Sequence, residues 1–170
     1  MSWSLPDPRP AEPVLGDPAS LGALAAALRR TGTELEDSIA ALAEAPVHRR
    51  YAGRVRALHR DTSVVVEALR RVAPYLVDHS GELADAIGLA RRLSDRAQSL
   101  GLQIDGPTVA APRGVRGVAD PEAEQDQAEA LSRLQRVLDA ILIDLDTSRR
   151  RLRAELDSER ARVHSRVRSG

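Results

Sequence analysis

The chain has 170 residues, a formal net charge of +0, 29% charged residues and 42% hydrophobic residues. This length predicts one domain or one elongated module with a sizeable core. The balanced charge excludes a histone-like polycation that coats DNA, and the absence of cysteine excludes disulfides and thiol chemistry. Aromatic residues make up only 2% and Phe is absent, so the core must consist of leucine, valine and alanine, which suit close helix packing.

Residues 1–16 contain prolines at near-alternate positions, namely Pro6, Pro8, Pro10 and Pro13. Proline removes backbone donors and favours extended conformations, so we expect a flexible proline-rich leader over 1–16. Trp3 in this leader is either exposed, folded back on the helices, or an anchor for a partner. The leader has no basic n-region and no apolar h-region, and no apolar run in the chain approaches the roughly 20 residues of a membrane span. We therefore expect neither Sec export nor membrane insertion.

The dipeptide Asp17-Pro18 predicts the start of a first helix, because Asp is a favourable N-cap and Pro fits the first helical position. Small and apolar residues follow at alternating spacings of three and four, which indicates one buried helix face; they are Leu21, Ala25, Leu28, Gly32, Leu35, Ile39 and Leu42. Pro46 ends this helix, because the residue before a proline avoids the helical conformation. A turn this short predicts an antiparallel helical hairpin, in which Gly32 faces about His59.

The longest pattern is a heptad stripe that stays in one phase from Tyr51 to Leu100 and predicts a second helix over about 47–100. Its members are Tyr51, Val55, Leu58, Thr62, Val65, Leu69, Val72, Leu76, His79, Leu83, Ala86, Ala90, Leu93, Ala97 and Leu100. Pro74 and Gly81 interrupt it, but because the phase continues across them we predict one kinked, continuous helix rather than two. The first helix is about half as long, so it covers the stripe only as far as about Leu76.

Residues 101–119 are rich in Gly and Pro without apolar periodicity, which predicts a flexible linker. Asp120-Pro121 repeats the capping dipeptide and predicts a third helix over 120–170. The apolar face of this helix comprises Leu131, Leu134, Leu138, Ile141, Leu145 and Leu152. Together, residues 17–100 as a hairpin and 120–170 as a third helix predict an all-α fold: an elongated antiparallel helical hairpin with a long, kinked or straight second helix and a third helix packing back on it.

If the third helix folds back antiparallel, Leu145 falls near His79. Asp144 or Asp146 would then lie within reach of the His79 ring, and a carboxylate neighbour favours imidazolium whereas burial favours the neutral ring. His79 with Asp144 and Asp146 is therefore a candidate pH-sensitive pair. A neutral histidine hydrogen-bonded to a backbone carbonyl or water is the alternative.

No pattern in the sequence predicts a catalytic, cofactor or metal site. The chain has no Glu-x-x-His pair, no Gly-rich phosphate loop and no Gly-x-Ser-x-Gly motif. His48 and His59 would lie about 16 Å apart along one helix, too far to share a metal. We therefore predict a protein that is not an enzyme and that holds no cofactor.

Arginines concentrate in two places, and either could bind phosphate or form a solvated helix face. The first group lies at the hairpin turn and comprises Arg49, Arg50, Arg54, Arg56 and Arg60. The second lies in the last part of the third helix and comprises Arg149, Arg150, Arg151, Arg153, Arg160, Arg162, Arg166 and Arg168. Acidic residues between the members of the second group favour the solvated face.

The chain resembles the WXG100-type helical hairpins of actinobacterial type VII secretion systems, with an added third helix. The resemblance is carried by Gly16, Asp17, Pro18, Leu21, Leu24, Ala25, Leu28 and Arg29 in the first part, and by Ala68, Leu69, Ala73, Tyr75, Leu76, Leu83 and Ala86 in the second. The Trp-x-Gly turn of that family is replaced by Tyr51-Ala52-Gly53. The family has an acidic residue four positions after a tyrosine. In this chain the residue four positions after Tyr75 is His79.

This resemblance implies a helical interaction module that acts as a targeting factor or chaperone, either cytoplasmic or exported by a type VII system together with a partner. The partner is a helical protein or a second copy of the chain. The residues predicted to bind it are Tyr51, Leu83, Ala86, Ala90, Leu93 and Leu100. The alternative is a cytoplasmic, self-associating coiled-coil protein whose arginine-rich end binds nucleic acid or an anionic surface.

Overall fold

The structure is a computed structural model that describes residues 11–46, 48–111 and 121–168. Three helices dominate it: α1 (Pro18–Glu44), α2 (Ala52–Ser99) and α3 (Pro121–Arg168). A 3-10 turn, Arg49–Tyr51, precedes α2, and two short strands, β1 (Gln103–Asp105) and β2 (Thr108–Ala110), separate α2 from α3. The predicted all-α fold is confirmed, apart from these strands. Trp3 and the Asp120 cap lie outside the described residues.

The second helix is continuous, as predicted. It runs from Ala52 to Ser99 with Pro74 inside it, and Gly81 is helical as well. The Pro74 side chain is exposed, so its ring lies on the outside of the helix and the buried apolar face continues beneath it.

The chain divides into two compact units. Among the described residues, the first, which we call the α1 unit, consists of 17–46, 48–82 and 147–168; the second, which we call the strand unit, consists of 11–16, 83–111 and 121–146. Each unit therefore contains one part of α2 and one part of α3.

Packing in the α1 unit centres on Ala25, Ala73 and Leu76, which are buried. Four partly buried apolar side chains pack against this centre: Leu21, Leu28, Val72 and Leu152. Small residues at the centre allow the helices to approach closely, and the larger leucines and valine fill the flanks. The α1 unit is thus a three-helix arrangement of α1, the first part of α2 and the last part of α3.

The register of the α1–α2 hairpin differs from the prediction. A Cβ atom placed on Gly32 would lie 3.9 Å from the Leu69 Cβ atom, so Gly32 faces Leu69 and not His59. Near the other end of α1, the Ser80 hydroxyl donates to the Pro18 carbonyl at 2.8 Å. The connection is longer than the sequence suggested, because the 3-10 turn Arg49–Tyr51 takes up residues assigned to α2. As a result α1 reaches Ser80 rather than stopping at about Leu76.

The core of the strand unit consists of buried residues from every element in it. They are Leu83, Ala86, Ala90, Leu93 and Ala97 from α2, Leu134, Leu138, Ile141 and Leu145 from α3, Leu102, Ile104 and Val109 from the strand region, and Val14. Most are leucine, valine or alanine, as the composition predicted. Leu138 is fully buried at 0% exposure.

The region predicted as a flexible linker is ordered over 101–111. Strands β1 and β2 pair antiparallel, with Ile104 opposite Val109, and both of these side chains are buried. Gln135 of α3 fixes the hairpin from both sides, since its Oε1 accepts from the Val109 backbone at 2.7 Å and its Nε2 donates to the Pro107 carbonyl at 2.9 Å. The rest of the predicted linker, 112–119, lies outside the described residues.

The last part of the predicted leader is ordered as well. The Ala11 backbone N–H donates to the Asp105 carboxylate at 2.9 Å, and the Ala11 carbonyl accepts from Gly106 at 2.8 Å. Val14 is buried at 4% exposure. Gly16 has φ +148, and a Cβ atom there would lie 2.9 Å from a methyl carbon of Leu83. Residues 11–16 therefore form part of the strand unit, while residues 1–10 lie outside the described residues.

Candidate interaction surface

The connection between α1 and α2 carries a cluster of basic side chains. We call residues 40–46 and 48–60 the hairpin end. The Nδ1 atom of His48 accepts from the Arg50 backbone at 3.3 Å, and the Tyr51 backbone donates to the His48 carbonyl at 2.8 Å. The Arg50 guanidinium carbon lies 4.5 Å from the centre of the Tyr51 ring, which is a cation–π distance. These contacts close the 3-10 turn that leads into α2.

Between His48 and Arg60 the sequence has five arginines and two histidines and no carboxylate. All seven side chains are exposed: His48, Arg49, Arg50, Arg54, Arg56, His59 and Arg60. Arg60 pairs with the neighbouring Asp61 at 3.3 Å, and both side chains face solvent. Exposed pairs of this kind contribute little to stability. With one exposed carboxylate, Glu44, against five arginines, the hairpin end presents a net cationic surface.

Apolar side chains lie within this cationic surface. Tyr51 is 41% exposed and Leu58 is 54% exposed, while Leu42 and Val55 are half-buried. Since Gly32 faces Leu69, the antiparallel register places Leu42 of α1 at about the level of Leu58 of α2. The line of apolar contacts between α1 and α2, which we call the α1–α2 seam, thus continues into the hairpin end. Its apolar residues there are only partly covered.

Within the described residues, α3 follows α2 as far as about Glu67. Arg166 of α3 pairs with Glu67 of α2 at 3.0 Å, and Arg168 is the last described residue of α3. From Glu67 the α2 helix continues back to Ala52, a distance of about 22 Å at 1.5 Å per residue. Within the described part of the chain, α1 is the only helix that packs along this last section of α2.

The structure separates the residues predicted to bind a partner into two groups. Tyr51 and Leu100 are exposed, at 41% and 42%. The other four, Leu83, Ala86, Ala90 and Leu93, are between 3% and 8% exposed. The assignment of these four to a partner surface needs correction, because they form the core of the strand unit. The exposed Leu58, which the heptad stripe contains, belongs with Tyr51 instead.

His79 is buried at 7% exposure, and its Nδ1 lies 2.6 Å from the Ser148 hydroxyl oxygen. The Ser148 hydroxyl donates its proton to Glu82, so His79 Nδ1 must carry the hydrogen and donate to Ser148. Arg151 pairs with the other oxygen of Glu82. The Ser148 hydrogen bond lowers the pKa of the Glu82 carboxyl, with Arg151 and His79 adding to the effect.

The sequence predicted His79 as part of the heptad stripe. It did not predict Ser148 or Glu82 as neighbours of the His79 ring. His79 Nδ1 lies 4.0 Å from Glu82, and Asp144 and Asp146 are exposed. The pairing of His79 with Asp144 or Asp146 stays a prediction.

Several of the C-terminal arginines form ion pairs inside the α1 unit. Glu159 is 2% exposed, and it accepts from Arg71 Nε at 2.9 Å and pairs with Arg162. The hydrogen bond to Glu159 raises the pKa of the Arg71 guanidinium. Together with Arg151–Glu82 and Arg166–Glu67, these contacts hold the last part of α3 on α2. They leave fewer arginines of this region for nucleic acid.

Within residues 11–46, 48–111 and 121–168, no group of three or more His, Cys, Asp or Glu side chains is arranged to hold a metal ion. None of the helices in the described ranges has both the length and the apolar character that a bilayer crossing requires. No family model, curated protein or solved structure matches the chain. The resemblance to WXG100-type hairpins therefore rests on the residues named above.

Proposed function

We propose that the chain is a non-enzymatic helical interaction module that binds a second helical protein at the hairpin end. One observation carries this proposal: Tyr51 and Leu58 are exposed beside the contact between α1 and α2 at the hairpin end. Apolar side chains left open along a helical seam are the contacts that a further helix would cover. The predicted partner residue Tyr51 lies in this surface.

From the resemblance to WXG100-type hairpins we further propose that the partner belongs to a type VII secretion system. The chain would then act as a targeting factor or chaperone, staying in the cytoplasm or leaving the cell with its partner. An antiparallel α1–α2 hairpin with a small residue, Gly32, buried between the helices supports this proposal.

Affinity capture from the native host tests the proposal with three forms of the tagged chain. We expect type VII components to be retained by the unchanged chain and lost from the double variant Tyr51→Ala, Leu58→Ser. The control is Val77→Ser, which alters an equally exposed apolar residue of the α1 unit, 41% against 41% for Tyr51, away from the hairpin end. Equal retention by the double variant and the control would contradict docking at the hairpin end. Retention of other helical proteins alone would contradict the link to secretion.

A further inference from the structure

Three arginines of the hairpin end lack the ion pairs that several other arginines of the α1 unit form. Arg70 pairs with Glu36, Arg71 with Glu159 and Arg166 with Glu67. By contrast Arg49, Arg54 and Arg56 form no ion pair with any carboxylate of the described residues. Their charges are therefore available to a group outside the chain.

The position of these arginines is also unfavourable for the helix that carries them. Arg54 and Arg56 lie in the first turns of α2, and no acidic residue is present in the first turn. The amino end of a helix carries partial positive charge, which favours acidic side chains and disfavours basic ones by about 0.3–1 kcal/mol each. Helix stability alone therefore gives no reason for basic residues here.

The shape and composition of the surface favour a helix as the occupant. Leu42 and Val55 are half-buried in the seam, and Tyr51 and Leu58 stand at its border. A groove between two helices with apolar residues at helical spacing accepts the apolar face of a third helix. A bilayer would require apolar side chains that protrude together, and the bases of a single-stranded nucleic acid would stack on an aromatic face, one of which on Tyr51 is already covered by Arg50.

Charge complementarity decides the chemistry of that helix. A symmetric dimer through this surface would place two cationic hairpin ends against each other, and like charges in contact oppose association. A partner helix with acidic residues beside its apolar face would pair with Arg49, Arg54 and Arg56 and cover Leu58 and its neighbours.

We infer that the partner docks on the hairpin end through an acidic amphipathic helix, with its apolar face on the α1–α2 seam and its carboxylates on the arginines. This inference rests on the proposed function and adds the chemistry of the partner. Tyr51 would contribute to the same contact, since its ring is 41% exposed and Arg50 covers one of its faces.

Two synthetic amphipathic peptides test the inference. Each has about 20 residues, which form a helix about 30 Å long. Both carry leucine on one face; one has glutamate beside that face and the other has lysine. We expect the full chain to bind the glutamate peptide at least about tenfold more tightly than the lysine peptide, a difference of about 1.4 kcal/mol. In the double variant Arg54→Glu, Arg56→Glu the preference should reverse. Acidic residues near the start of α2 favour the helix, so this variant should fold.

The control is the double variant Arg91→Glu, Arg92→Glu, which reverses two exposed arginines of the strand unit and should keep the original preference. If the unchanged chain binds both peptides equally, the proposed function stands and the acidic partner is wrong. If it binds neither, helical docking at the hairpin end is wrong as well. Tighter binding to phosphatidylglycerol vesicles or to duplex DNA than to the glutamate peptide would also overturn the inference.

Discussion

Two buried polar residues, His79 and Ser148, lie at positions of the helical stripes that are otherwise apolar. Along α3, Leu145, Ser148 and Leu152 are spaced by three and four residues, so Ser148 lies in the apolar stripe. Ser148 is 6% exposed and contacts His79, which occupies the corresponding stripe on α2. A polar residue in the stripe of each helix at a matching level is a signal that two buried polar groups meet. The sequence contained this signal, but the exact level depends on a register that sequence alone leaves uncertain by about a turn.

Glu82 makes the stability of the α1 unit depend on pH. Because the hydrogen bond from Ser148 lowers the pKa of Glu82 in the folded chain, the ionised carboxylate stabilises the fold. This contribution is present above the unfolded pKa of about 4.3 and is lost as pH falls through the lower folded pKa. Glu82→Gln should reduce stability near neutral pH and flatten its decline in acid. Urea unfolding from about pH 6 down to about pH 3 measures both effects.

The matched control for this measurement is Glu34→Gln, which removes an exposed carboxylate of α1. It should leave the acid dependence of the unchanged chain in place. If Glu82→Gln declines in acid as steeply as the Glu34 variant does, the Ser148–Glu82 hydrogen bond does not stabilise the ionised form.

Among the elements, the helices followed from the sequence and the strands did not. Sustained spacings of three and four residues, together with the Asp17-Pro18 cap, predicted α1 and α2, because such patterns require a buried helical face. The strands have only three residues each, which is too short for a clear alternation. A signal was present nonetheless: Gly106-Pro107 is the two-residue loop between the paired Asp105 and Thr108, and a Gly at the first position of such a loop favours a tight hairpin.

The position of the turn between α1 and α2 could not be predicted from the sequence either. Pro46 correctly marked the end of α1, but the 3-10 turn Arg49–Tyr51 continues the heptad phase and so was assigned to α2. A shift of this kind moves every contact across the hairpin. Gly32 consequently faces Leu69 rather than His59.

Substitutions at Gly32 test this register. A Cβ atom at Gly32 would meet Leu69 at 3.9 Å, an ordinary van der Waals distance. Gly32→Ala should therefore fit and raise the free energy of unfolding by up to about 1 kcal/mol, because Ala favours helix more than Gly. Gly32→Leu should lower it by about 1–3 kcal/mol, because the longer side chain overpacks the contact with α2. Thermal and urea unfolding of the two variants measure these opposite effects, and stabilisation by leucine would show that Gly32 lies on an open face.

At the scale of the whole molecule, the sequence predicted three helices but not the division into two units. The apolar stripe of α2 runs through both units without a break, so periodicity gives no boundary. Charge marks the boundary in part, since arginines and glutamates become more frequent along α3 after Thr147. The α1 unit resumes at this residue. The sequence favoured a solvated helix face for these arginines. Their ion pairs with Glu67, Glu82 and Glu159 were not predicted, because most of these partners are distant in sequence.

Exposed ion pairs add to apolar packing where the last part of α3 contacts α2, so salt should weaken this part of α3 more than the part in the strand unit. In the α1 unit two of the ion pairs, Arg151–Glu82 and Arg166–Glu67, are largely exposed, with side-chain exposures of 63%/40% and 55%/52%. In the strand unit the corresponding contacts are buried leucines and isoleucine over 134–145. Exposed pairs contribute about 0.2–1 kcal/mol each, and at about 1 M salt the Debye length falls to about 3 Å. The last part of α3 should therefore open more readily at high salt.

Hydrogen exchange measured by mass spectrometry tests this difference within one molecule. Raising sodium chloride from about 0.05 M to about 1 M should speed exchange over residues 153–168 by about twofold to thirtyfold, the effect of losing two exposed ion pairs. Residues 131–145 serve as the internal control and should keep their protection, because screening does not weaken apolar contacts. Glu67→Gln at low salt should reproduce part of the effect, since it removes the partner of Arg166. Unchanged exchange over residues 153–168 at high salt would show that apolar packing, and not exposed ion pairing, holds the end of α3 in place.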